Sequence, residues 1–364
     1  MPELFTVVTP NEALSRFRSN LSYMVDSEEV KANMAAGRVV AKEIYVPSDL
    51  PSFPRSTMDG YAVIASNTYG SSESIPSYLN VIGEIPMGQP SRMILQQGEA
   101  ALVHTGGMLA EMADAVVMVE NTQTLNGNTI EVMRPVAPGE NVLQIGDDVK
   151  TGQLLFSPGH ILRPQDIGGL MGLKIDRVTV SRRPRITILS TGDELISPDQ
   201  PISPGKIRDI NTYSLSALAL QVGAIPNTMN IISDSYDDLR DASLKAIEQS
   251  DMLVISAGSS VSTRDITAKV IGSLGEPGVI VHGVSIKPGK PTILASIYGK
   301  PSIGLPGNPV SALVIFDLFA VPAMYWIAGC EYPPERPSIT ARLTQNIASV
   351  AGREDYVAVR LESS

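Results

Sequence analysis

From Arg182 onward the sequence alternates uninterrupted apolar runs with helix-like stretches, and this alternation constrains the fold more than any other feature. RITILS, NTMNIIS and DMLVISAG read as strands, whereas TYSLSALALQVGA, SYDDLRDASLKAIEQS and TRDITAKVIGSLG read as helices. Paired strands and a long apolar helix follow. Such βα alternation predicts a mostly parallel sheet covered by helices on both faces. Ligands of such a sheet bind at the carboxyl ends of its strands, near a topological switch point.

The 364 residues exceed one ordinary domain, and the pattern changes along them. Thr9-Pro10-Asn11-Glu12 is a capping box with proline at the first helical position, and helical patterning continues to about Arg38. Short β-like runs follow, such as YAVIA, YLNVIGEI and AVVMVENTQTL, separated by glycine and proline turns. The resulting expectation is a multidomain chain of α/β and β parts. Residues 1–45 with 138–180 form an N-terminal helical and linker module, and 46–137 a β-rich insert. Residues 181–330 form the βα module, and 331–364 a C-terminal β segment too short to stand alone.

Composition narrows the function. A formal charge of -10 without a basic run argues against a nucleic-acid partner. The lone Cys330 allows no internal disulfide, and MPELFTVVTPNEA lacks the basic-then-apolar order of a secretory leader, so the expected location is cytoplasmic. Val310 to Gly329 is nearly long enough to span a bilayer, but Asp317, Pro322 and the Asn308-Pro309 start point to a buried helix, with no membrane as partner. His104, His160 and His282 lie far apart in sequence, so no zinc-like ligand cluster is expected.

Five loops carry residues suited to an anionic ligand. In Pro54-Arg55-Ser56-Thr57-Met58-Asp59-Gly60, Arg55 and Ser56 suit an oxyanion and Asp59 a general-acid or cation-facing task, although Asp59-Gly60 also reads as a plain hairpin turn. Ser190-Thr191-Gly192-Asp193-Glu194 leaves the strand RITIL at the ligand-binding edge, or is an ordinary turn with solvated acids. Gly258, Ser259 and Ser260 precede Arg264-Asp265 at a helix start, which suits a phosphate cradle and equally suits simple capping. Asp234 precedes a capping box that explains it electrostatically. Lys287-Pro288-Gly289-Lys290 places two ammonium groups on a stiff turn, or is a charged hairpin end. Pro306-Gly307-Asn308-Pro309-Val310-Ser311 enters a helix in a way that suits phosphate.

Taken in order, MDGYA, HTGG, TGDEL, the strand-end GSSxSxRD, KPGKP and LPGNPVS resemble the MoeA family of molybdopterin molybdenumtransferases, to which the E domain of gephyrin is similar. The resemblance runs to about residue 330 and implies a MogA-like βα module. It implies insertion of molybdate into adenylylated molybdopterin, with release of AMP and dependence on Mg²⁺. It also implies a homodimer completing the site, with the upstream adenylyltransferase as a further partner. By the family's motifs, Asp59, Glu194, Asp234 and Asp265 become catalytic acids, and Asp234 and Asp265 ligands of Mg²⁺. Arg55, Ser56, Thr105, Ser190, Thr191, Gly192, Asp193, Asp209, Asn211, Gly258, Ser259, Ser260, Lys287, Lys290, Pro306, Gly307, Asn308, Pro309 and Ser311 become substrate contacts.

The chain departs from the family pattern in places. Ala257, Ser259 and Ser262 stand where glycines are usual, narrowing the cradle. Thr212 replaces an arginine for which Arg208 is the expected substitute. Two other readings share the βα fold: a molybdopterin adenylyltransferase, which leaves the MDGYA-bearing part unexplained, and a non-catalytic pterin-binding or scaffold protein, which the altered loop favours and the retained acids oppose.

Overall fold

The computed structural model describes residues 7–125, 128–258, 261–335 and 337–362, without the side chains of 261–264. They form two compact units. One comprises 1–42, 157–168 and 176–364, and the other 43–156 and 169–175.

The larger unit is built on a six-stranded sheet. Its order is Ile225–Thr228, Arg185–Ser190, Met252–Ala257, Lys300–Pro306, Ile293–Ile297 and Pro277–His282. The first four strands are parallel, and each of the last two runs antiparallel to its neighbour. Alternate side chains supply two separate cores. Ile186, Ile188, Met252 and Val254 pack with Phe17, Leu215, Ile315 and Phe316 in one, while Leu189, Leu253 and Ile255 pack with Leu239, Ile247, Val270 and Ile271 in the other. Burial on both faces explains why these strands read as continuous apolar runs.

The helices begin where their caps predict. The Thr9 hydroxyl accepts from Glu12 N–H at Pro10–Ser19, Ser235 caps Tyr236–Gln249, and Asn308 caps the helix that starts at Pro309. That last helix, Pro309–Ile327, is long and apolar enough to cross a bilayer. It nevertheless buries Ile315, Phe316, Phe319, Ala320, Ala323 and Met324 in the core.

Helical patterning to Arg38 is not realised. The first helix ends at Ser19, and Ser27–Lys31 pairs antiparallel with Arg177–Ser181. Between them Val25 N–H donates to Ile327 O at 2.8 Å, so tertiary contacts hold this stretch extended against its local propensity.

The β-rich unit has a six-stranded sheet ordered Ala115–Met118, Gly60–Val63, Glu99–Val103, Ser77–Glu84, Thr129–Val132 and Thr122–Thr124. Residues 138–156, expected in the linker, belong here because Val142–Leu143 pairs with Arg55–Ser56, and Leu154–Phe156 with Ile44–Tyr45. In the C-terminal segment, Glu354–Asp355 pairs with Ile286–Lys287.

A buried carboxylate ties the foot of the βα sheet together. Asp251 is 3% exposed and accepts from both terminal nitrogens of Arg182 at 2.6 and 2.7 Å, from Tyr23 OH at 2.6 Å and from Arg185 N–H at 2.7 Å. Burial alone would raise its pKa. The donors of Arg182, Arg185 and Tyr23 reverse this and hold it below the usual range, while burial and Asp251 push the Tyr23 phenol up to about 12. Removing the carboxylate strands the guanidinium, so Asp251→Ala is expected to lose about 3 kcal/mol of unfolding free energy. A depressed folded-state pKa stabilises fully above the unfolded value of about 4, and that stabilisation disappears as pH falls through the folded value. Denaturant titrations at descending pH should therefore show a steeper loss for the wild type than for Asp251→Asn.

Candidate functional site

In the βα unit the chain reverses its direction of travel across the sheet between Arg185–Ser190 and Met252–Ala257, because the strand after the first lies to one side and the next strand to the other. At the carboxyl ends of these two strands and of Lys300–Pro306 lies a cavity of about 390 Å³. Thr191, Glu194, Asp209, Asn211, Ser256, Gly258 and Gly307–Pro309 contribute to its lining. A crevice at the switch point is where an open α/β sheet binds its ligand.

Hydrogen bonds hold the walls. Asn211 Nδ2 donates to Ser256 Oγ at 2.8 Å and to the Gly307 carbonyl at 2.9 Å, clamping the ends of two strands to the start of the helix Asn211–Gln221. The loops meet so closely that a Cβ on Gly307 would stand 2.6 Å from the Ala257 carbonyl. Ser190 and Thr212 share a hydroxyl contact of 2.8 Å, and Asp209 Oδ1 accepts from Thr212 N–H at 3.2 Å. Thr191 Oγ1 donates to Asp234 Oδ1 at 2.8 Å, and Asp234 N–H to Asp193 Oδ1 at 3.2 Å. A second, more polar cavity of about 670 Å³ lies beyond this loop, lined in part by Gly192, Asp193, Asp209 and Thr212.

Several expected contacts are engaged otherwise. Asn308 Oδ1 accepts from the N–H groups of Val310 and Ser311, so these amides of the helix start are already used. Arg208 lines the first cavity, but its guanidinium donates to the carbonyls of Pro198 and Gln200, so it does not take the place of the arginine expected at 212. Lys287 and Lys290 are exposed on a turn closed by Thr292 Oγ1 donating to Gly289 O at 2.6 Å. Pro306 ends its strand, Ser311 lies buried in the first turn of the helix, and Asp265 is half-buried on the helix Val261–Ser273. None of these lines the first cavity. Ser259 and Ser260 lie outside the described residues.

The β-rich unit carries the other candidates. Gly60 opens its strand where a Cβ would stand 2.0 Å from the Val117 carbonyl, so the backbone approach demands glycine and Asp59-Gly60 does not form a hairpin. Asp59 Oδ1 accepts from Thr105 N–H at 2.8 Å and Thr105 Oγ1 at 3.2 Å. First the amide and then the hydroxyl of Thr105 hold its carboxyl below the usual range. Ser56 is buried, and its hydroxyl is spent on Met58 O and N–H. Arg55 pairs with Asp148 at 3.3 Å. Neither is thus a bare oxyanion grip. Among the described residues, no group of three or more His, Cys, Asp or Glu side chains is arranged to hold a metal ion.

A doubly wound α/β unit with a cavity at its switch point, accompanied by a β-rich unit with an exposed carboxylate, defines a class of proteins that bind small molecules at the carboxyl ends of their strands. Residues 8–173 match the MoeA N-terminal region (domain I and II), and 187–326 the probable molybdopterin binding domain. A putative molybdopterin biosynthesis protein of Methanocaldococcus jannaschii is 38% identical over 343 residues, covering 92% of this chain and 81% of the relative. A molybdopterin molybdenumtransferase of Nostoc is 35% identical over 91% of this chain and 76% of its own. The crystal structure of the molybdopterin biosynthesis MoeA protein from Pyrococcus horikoshii superposes with a TM-score of 0.71 at 38% identity, over 90% of this chain and 81% of that one. The chain belongs to the MoeA family.

Loss of the Asn211 clamp leaves a buried hydroxyl and a half-buried carbonyl without their donor, so Asn211→Ala is expected to cost about 1 to 3 kcal/mol in urea unfolding. Asn211→Asp should be worse, because it sets a carboxylate against the Gly307 carbonyl.

Proposed function

We propose that the chain is a molybdopterin molybdenumtransferase, inserting molybdate into the dithiolene of adenylylated molybdopterin and releasing AMP. The observation that carries this is the clamped cavity at the switch point, whose lining of hydroxyls, loop backbone and carboxylates suits a phosphorylated, polar ligand in a chain of this family.

The chemistry follows from charge. Molybdate and two thiol groups yield a dithiolene-bound molybdenum and one water, so two protons must reach a departing oxide. Asp59 and Glu194 are assigned to that end, where an oriented carboxylate can relay protons. Water adding at phosphorus as AMP departs splits the phosphoanhydride into two phosphates and concentrates negative charge there, which the loop backbone around Gly258 and Gly307 and the ammonium groups of Lys287 and Lys290 are suited to offset.

Mg²⁺ belongs to the proposal. Such an ion takes one or two carboxylates and completes its octahedron with water and phosphate oxygens, so the lack of a three-acid cage is compatible with it. Asp234 and Asp265 would hold it, with Asp193 beside Asp234. When bound, it supplies positive charge to the phosphates. Thr191, by donating to Asp234, fixes one carboxylate oxygen and leaves the other for the ion.

The decisive measurement is AMP release from adenylylated molybdopterin with Mg²⁺, with and without molybdate. The wild type should release AMP in a molybdate-stimulated reaction, and Asp265→Ala should lose about 100-fold or more. Tight pterin binding without turnover would replace this proposal with a storage or scaffold role. The proposal extends to a cytoplasmic homodimer supplied by an adenylyltransferase. Light scattering should return twice the chain mass.

A further inference from the structure

The edge of the β-rich sheet that carries Asp59 also presents an imidazole and a second carboxylate. Gly60–Val63, Glu99–Val103 and Ser77–Glu84 are adjacent strands, the first pair antiparallel and the second parallel. The residue before the first, the residue after the second and the last residue of the third therefore share one edge. These are Asp59, His104 and Glu84. His104 Nε2 lies 3.0 Å from Glu84 Oε1, and Nδ1 lies 3.7 Å from Asp59 Oδ1.

The consequence falls on Asp59. Its Oδ1 already takes two donors from Thr105, and the imidazole stands over the same oxygen. Among the described residues none donates to Oδ2. Glu84 matters because its carboxylate, against Nε2, fixes the ring plane and so holds Nδ1 facing Asp59. No other charged side chain lies in ion-pair contact with the ring among the described residues.

We propose that His104, braced by Glu84, is a positioning residue: with Thr105 it commits Asp59 Oδ1 and leaves Oδ2 as the one oxygen that Asp59 offers to substrate. This rests on the assignment of Asp59 to molybdate insertion above. The row lies outside the core, with 42% of the His104 side chain and 57% of the Glu84 side chain accessible, so substitutions there leave the core intact.

The test measures molybdate-dependent turnover on the whole chain, with melting temperature as the check on folding. Asp59→Asn is the reference. His104→Ala is expected to lower kcat about tenfold while KM for adenylylated molybdopterin stays within about twofold. Glu84→Ala should reproduce most of that loss, and the double variant should be no slower than His104→Ala alone, since both act through one contact. His104→Asn, whose amide takes the place of Nδ1, should recover at least about half of kcat, which general destabilisation would not produce. If Asp59→Asn is inactive while His104→Ala keeps wild-type kcat, the inference falls and the proposed function stands. If the loss in His104→Ala is not restored by asparagine, the inference also falls. Full activity of Asp59→Asn would overturn the role of Asp59 and this inference with it. Should His104→Ala melt early, Glu84→Ala and His104→Asn decide the matter.

Discussion

The geometry of the βα unit depends on one buried carboxylate. Asp251 immediately precedes Met252–Ala257 and holds the amide of Arg185, the first residue of the neighbouring strand. It thereby fixes the register in which Ile186 faces Met252. Everything at the other end of those strands inherits that alignment. Ser190 and Ser256 come level, Thr191 N–H reaches the Ser256 carbonyl at 3.0 Å, and Asn211 can span from Ser256 to Gly307. The same foot holds Lys300, whose ammonium lies 5.1 Å from the Tyr23 ring and donates to the last carbonyls around Tyr236–Gln249, where the helix dipole favours a cation. The charges at one end of the sheet thus pair with one another, while the cavity at the other end retains polar and acidic groups for a ligand.

What the sequence made legible was whatever is decided locally or by burial on both faces. The apolar runs at Ile186, Met252 and Ile303 announced strands because the central strands of a doubly covered sheet turn neither face to water. Thr9, Ser235 and Asn308 announced helix starts because a capping hydroxyl or amide acts within three residues. The segment after Ser19 misled because its fate is settled far away, by Arg177–Ser181 and the carbonyl of Ile327.

The candidate site shows the same division. Gly307 could be singled out from its motif, but not the Ala257 carbonyl that excludes any larger residue. Arg55 and Ser56 suited an oxyanion by chemistry, yet Asp148 and the turn at Met58 had prior claim on them. His104 was visible only as one of three separated histidines and as the first letter of HTGG. Its meaning comes from strand order, which places residues 59, 84 and 104 side by side, and no local pattern encodes that order.

Gly60 and Asp59 are neighbours in sequence that answer to unrelated constraints. A side chain at 60 would collide with the backbone of Ala115–Met118, so that position is held by the fold itself. Asp59 is exposed and touches only the tips of its neighbours, so its loss would leave the strand where it is. A descendant that had shed the carboxylate would therefore keep the same trace, superpose on its active cousins without a gap, and differ from them only in one letter. For chains of this architecture, inheritance of the shape and inheritance of the chemistry are separate events, and residue 59 is one place where they can part.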